Sequence, residues 1–188
     1  KWRPEKVLSS ESLDQQKEKD NEKEDRPTHA QVLLEIAKDA ELFHTPDDES
    51  FASFPINEHI ETWPLRSKGF RRWLLQRFVE REGKPPSAQA LQDALGVLEA
   101  RAHFDAPELP VFTRLAEHDG KVYLDLCNAS WEAVEISPAG WQIVAAPPVK
   151  FRRAKGMAPL PRPEEGGVVE DLRPFLNAED ETNWRLIV

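Results

Sequence analysis

The sequence predicts an α+β fold: three N-terminal helices packed with a small antiparallel β-meander of four to five strands. Two observations carry this. Apolar residues recur at helical spacing from Thr28 to Phe104. From Pro110 to Arg153 the pattern changes to short alternating segments separated by tight-turn residues.

Residues 1–27 come first and are polar with mixed charge. Beyond Leu13 they offer no stripe that could repay the entropy of ordering, so they read as a disordered tail or linker. The Trp2–Val7–Leu8 group could dock on a partner or be plain chain. Thr28 with Gln31 forms a capping-box pattern. Val32, Leu33, Ile36, Ala37, Ala40 and Phe43 then predict a first helix from Thr28 to about Phe43. The Pro46-Asp47-Asp48 turn signal before Phe51–Ser53 predicts a short hairpin.

Ser67 is a suitable N-cap for a second helix, whose stripe is Phe70, Trp73, Leu74, Phe78 and Val79. Gly83 and Pro85–Pro86 end it. Ser87 caps a third helix, with Leu91, Ala94, Leu95, Leu98 and Ala102 on one face through to about Phe104. Strands are expected at Val111–Leu115, Val122–Leu126, Glu132–Ile136 and Trp141–Ala145, with a fifth at Val149–Arg153. His118-Asp119-Gly120 and Ser137–Gly140 supply turns. In the second strand Val122, Leu124 and Leu126 are expected inside, with Lys121, Tyr123 and Asp125 outside. Together residues 28–153 are expected to form one domain, and residues 154–188 a Pro- and Gly-rich wrap followed by the start of another element. The chain opens on Lys1 and stops within an apolar stretch, which predicts further sequence at both ends.

Bulk properties narrow the function. The 188 residues carry a formal charge of -9, unlike a protein that lives mainly on phosphate contacts. One cysteine forms no internal disulfide and favours a reducing compartment. No apolar run reaches membrane-spanning length and no signal-peptide pattern opens the chain, so a cytoplasmic protein with no membrane partner is expected. Six Trp residues suit cores, interfaces or base stacking.

No phosphate-binding glycine loop, CxxC or HExxH signature occurs, so no cofactor, metal or catalytic residue is assigned. The Gly166–Gly167 pair follows Glu164–Glu165, which would repel a phosphate, and reads as a flexible turn. His44, Asp47, Asp48, Glu49 and His59 could be drawn as a metal site, but turn chemistry accounts for the carboxylates. Asp119 belongs to a hairpin turn, Asp125 to an edge, and Cys127 reads as a small buried hydrophobe.

The charge pattern says more than the total. From Arg66 to Lys84 seven basic residues face two acidic ones. Arg66, Lys68, Arg71, Arg72 and Arg77 make a first candidate nucleic-acid contact; the same face could instead pair with acidic residues. Lys150, Arg152, Arg153 and Lys155 make a second, beside Phe151, which either stacks on bases or packs in the core.

The segments LRSKGFRRWL (65–74), VYLDLCNASWEAVEI (122–136), GWQIV (140–144), PPVKFRRAKGMAPLPRP (147–163) and LRPFLN (172–177) resemble the region ahead of the ATPase module in phage and mobile-element primase–helicase-like (D5-like) ATP-binding proteins. The resemblance implies a replication setting, with an ATPase beyond Val188 and an accessory role for this region in DNA contact, self-association or recruitment of a replication protein. No ATP-binding residue of that family falls within the chain. Two alternatives stand beside this: a protein-interaction or oligomerisation domain without nucleic-acid binding, and a metal-dependent nucleic-acid enzyme using Asp47, Asp48, Asp119 and Asp125.

Overall fold

A computed structural model of the chain describes residues 27–176 and 181–187. The expected disordered tail and the Trp2–Val7–Leu8 group lie outside the described residues, apart from position 27. The first helix, α1 (His29–Ile36), starts at the expected capping box: Thr28 Oγ1 accepts from the Gln31 amide and Gln31 Oε1 accepts from the Thr28 amide.

The chain is α+β, but the expected arrangement of three helices ahead of the strands is overturned at this point. Helix α1 stops at Ile36, a 3-10 turn covers Ala37–Asp39, and the chain becomes strand β1 (Glu41–His44). Strands β2 (Ser50–Ile56) and β3 (His59–Pro64) follow, giving an antiparallel sheet in the order β1-β2-β3. Among the described residues one α-helix, not three, precedes the strands. The physical reason lies in Glu41-Leu42-Phe43-His44. Phe43 fits helical spacing from Ala40, but it also fits period two, and pairing with β2 places it against Phe51 with ring centroids 5.7 Å apart. The expected hairpin at Pro46–Phe51 is the β1–β2 connection of this sheet.

Helices α2 (Lys68–Glu82) and α3 (Ala88–Phe104) then follow as expected. Ser67 Oγ accepts from the Phe70 amide and Ser87 Oγ from the Ala90 amide, and Gly83 closes α2 in a left-handed conformation. The expected stripes are buried in both, except that Val79 is exposed. They pack with α1 on the Ala52–Phe54 face of the first sheet, in a core that includes Leu33, Leu74, Phe78 and Leu95.

The second sheet is the expected meander with shifted ends: β5 (Leu115–His118), β6 (Lys121–Asp125), β7 (Ala133–Ser137) and β8 (Gly140–Val144), antiparallel and in chain order. The expected strand Val111–Leu115 divides instead at Arg114, whose φ is 75°, so that β4 (Val111–Phe112) is separate. The expected fifth strand shortens to β9 (Lys150–Phe151), which pairs in parallel with β4 rather than extending the meander.

Within β6 the expected faces are reversed, while Leu126, just past the strand, is buried as expected. Tyr123 and Asp125 are buried, with Ala116 and Ala133 beside Tyr123 in the second core, while Val122 is exposed. Tyr123 can go inside because its hydroxyl donates to Glu135, and Asp125 because Arg153 reaches it. Helices α1–α3 therefore do not pack against the meander as expected. The meander has its own small core, with Val149 and Phe151, and meets the other face of the first sheet. A wrap along residues 154–167 crosses the meander, where the Leu160 amide donates to the Leu126 carbonyl. A 3-10 helix (Val169–Phe175) and α4 (Glu181–Ile187) end the described chain.

Candidate nucleic-acid interface

The first basic patch gathers at the start of α2. The buried stripe Phe70, Trp73, Leu74 and Phe78 fixes the rotation of the helix, so Lys68, Arg71 and Arg72 stand in solvent. None of the three has an acidic partner among the described residues, and the first turn contains no Asp or Glu. This is a costly arrangement. The N-terminal end of a helix carries partial positive charge, and each cation there costs about 0.3–1 kcal/mol relative to a neutral residue. Arg66, just before the cap, is different. Its guanidinium makes a two-pronged pair with Glu99 on α3, which raises its pKa above the usual arginine value. It ties the β3–α2 turn to α3. Arg77 meets Glu80 at 3.5 Å, one turn on.

The second patch is largely consumed inside the molecule. Lys150 pairs with Glu41 and lies 5.9 Å from the Phe43 ring centroid. Arg152 meets Glu49 at 3.2 Å. Arg153 binds both carboxylate oxygens of Asp125, at 3.0 and 2.7 Å, donates to the Asn128 carbonyl, and stacks 3.9 Å from the Trp131 ring centroid. These three cations join β9 and its exit to the first sheet and to the β6–β7 loop. Lys155, further along, is exposed and has no acidic partner among the described residues. Phe151 is buried, which decides its alternative readings for the core.

The acidic and metal-type candidates are dispersed. His44 Nδ1 faces the Ala102 carbonyl at 2.8 Å, Asp48 faces His103 Nδ1 at 2.8 Å, and Glu49 holds Arg152. His59 faces Glu61 and stacks on Trp131. Asp119 and Gly120 form the expected turn, both with positive φ. Asp125 is not at an exposed edge but 2% exposed. Among the described residues no three His, Cys, Asp or Glu side chains gather as a metal site. Cys127 is half-buried at a loop position with φ 53°, not fully buried as expected, and its Sγ lies 3.7 Å from the Met157 carbonyl.

Sequence reasoning passed over Trp63 and Gly69. A β-carbon added to Gly69 would lie 2.5 Å from Cδ2 of Trp63 and 2.8 Å from Cε2 and Cε3. The indole is therefore laid across the helix backbone. A glycine in the first turn of a helix is the signal that could have found this, since it marks a close approach. Together Trp63, Lys68 and Arg72 line an open groove between α2 and the β2–β3 hairpin.

No family model, no curated protein and no solved structure matches the chain. Among the described residues no helix is long and apolar enough to cross a membrane.

Proposed function

We propose that this chain is a non-catalytic module that contacts nucleic acid through the first turn of α2. The observation that carries the reading is the exposed, acid-free cluster Lys68, Arg71 and Arg72 at a helix end where positive charge is locally unfavourable. A phosphate backbone would offset that cost, because backbone N–H groups and side-chain cations then face the same anion. The proposal places the module in the cytoplasm, ahead of a primase–helicase-like ATPase, as the sequence resemblance implies.

The test is binding of labelled single- and double-stranded DNA at low salt by the wild-type chain and by Arg71→Glu/Arg72→Glu. Both residues are exposed, so folding should be preserved. The double variant is expected to bind about tenfold more weakly or worse. Equal binding by both proteins would remove α2 from the interface.

A second reading, protein interaction, rests on a different surface. The outer face of the meander aligns Leu115 (56% exposed), Val122, Ile136 and Trp141 (42% exposed). Leu160–Pro163 of the wrap borders this apolar face. A self-associating species in sedimentation that is dissolved by Trp141→Ser would favour this reading.

A further inference from the structure

The groove beside the α2 cations is built for more than phosphate. It has a volume of about 560 Å³, within the roughly 300–1,000 Å³ typical of small-ligand sites. One wall is Trp63. Its ring rests against Gly69, and its Nε1 donates to Glu61 Oε2 at 2.6 Å, so the indole is held in place before any ligand arrives. Trp73 also lines the groove. Its ring is wedged against Phe54 and Phe70 at centroid separations of 4.6 and 5.6 Å, and its buried Nε1–H has no acceptor among the described residues. Such an orphan donor is rare in a folded protein and calls for a partner.

The polar lining is asymmetric. The two acids are already engaged: Glu61 accepts from Trp63 and His59, and Glu80 accepts from Gln76 and Arg77. Lys68 and Arg72 are free of acidic partners among the described residues. Lys68 and Arg72 lie one turn apart on α2, and Arg77, shared with Glu80, stands nine residues beyond Lys68, or ~13 Å along the axis. That reach suits several linked phosphates better than one. The Asn57 amide, on a positive-φ residue in the β2–β3 turn, adds hydrogen-bonding capacity at the rim.

We infer that the groove between α2 and the β2–β3 hairpin seats an unstacked base of single-stranded nucleic acid against Trp63, with the flanking phosphates on Lys68 and Arg72. The inference rests on the proposed function and narrows it to strand type. A duplex keeps its base faces stacked inside the helix, so it can engage the cations but not the indole. Single strands gain both.

The experiment uses the full chain with oligothymidylate and a duplex of equal length. Nitrogen-labelled protein reports each indole N–H, with the Trp63 signal assigned from its loss in Trp63→Phe. Oligothymidylate is expected to bind about tenfold more tightly than the duplex and to shift the Trp63 and Trp73 signals. Trp63→Leu is expected to weaken oligothymidylate binding about tenfold and leave duplex binding unchanged, and Trp63→Phe to retain most of the affinity. Thymidine monophosphate should move the same two signals, and inorganic phosphate should not.

Equal affinity for both probes, with the two indole signals unmoved, would overturn the base seat while leaving phosphate contact by α2 standing. Phosphate alone moving both signals as far as the oligonucleotide would also overturn it. Failure of both probes to bind would overturn the inference together with the proposed function. The indole shifts are read on wild-type protein, so the outcome stands even if Trp63→Leu fails to fold.

Discussion

At the scale of single residues, Asp125 is the most consequential side chain in the second half of the molecule. It is 2% exposed, and its carboxylate meets Arg153 and the Cys127 amide. Arg114 donates to the Asp125 carbonyl and, through its other nitrogen, to Ala158 in the wrap. One carboxylate and one arginine thus hold a strand end, a loop and the exit of β9 in register. Removing one partner leaves a buried charge without its counter-charge, which costs far more than losing an exposed pair. Asp125→Ala is expected to lower stability by about 3 kcal/mol in urea unfolding. The double variant Asp125→Ala/Arg153→Met should lose less than the sum of the two single changes. A single-variant cost below about 1 kcal/mol would show that the pair is not structural. The sequence displayed the alternation Val122–Leu126 clearly, but alternation separates two faces without saying which is inside. Tyr123 and Asp125 go inside because Glu135 and Arg153, distant in sequence, satisfy them.

At the scale of elements, α2 joins the legible and the illegible parts of the fold. Its start, end and buried stripe were readable because Ser67, Gly83 and the Phe70–Phe78 spacing act locally. So were α1's cap and all of α3. The first sheet was not readable as a sheet. In β2 the residues Phe51 to Phe54 are all buried, with Ala52 and Phe54 toward the helices and Phe51 and Ser53 toward the other face. A strand covered on both sides shows no alternation. β3 gives little more, because its inward Thr62 is polar and is matched by a hydrogen bond to Ser53 at 2.8 Å. The site divides in the same way. Lys68, Arg71 and Arg72 were identifiable as a basic cluster, whereas the pairing of Lys150, Arg152 and Arg153 with Glu41, Glu49 and Asp125 depends on contacts between distant segments. Gly69 tests the α2–β3 packing directly. Alanine normally stabilises a helix interior by about 1 kcal/mol over glycine. Here the added carbon strikes the Trp63 ring, so Gly69→Ala is expected to destabilise by about 1–3 kcal/mol in thermal or urea unfolding. A stabilised Gly69→Ala variant would mean that Trp63 does not rest on the helix.

At the scale of the whole molecule, the helical core and the meander's own core are separate, and the β1–β3 sheet stands between them. The β1–β3 sheet packs three helices on one face. On the other it meets the second unit through Lys150 over Phe43, Arg152 with Glu49, and the His59–Trp131 stack. The two basic patches of this acidic chain are placed differently. Lys150 and Arg152 join the units and Arg153 braces the β6–β7 loop, whereas Lys155 and, at the start of α2, Lys68, Arg71 and Arg72 have no acidic partner among the described residues. The separation has a measurable consequence, because each phosphate contact adds roughly one counterion to the salt dependence of binding. The decisive measurement is the slope of log affinity against log salt concentration for a DNA probe, taken for the wild-type chain, Arg71→Gln/Arg72→Gln and Arg152→Gln. Phosphate contact by the first turn of α2 predicts a slope shallower by about 2 for the α2 double variant and an unchanged slope for Arg152→Gln. An unchanged slope for the α2 variant, or a shallower one for Arg152→Gln alone, would contradict it.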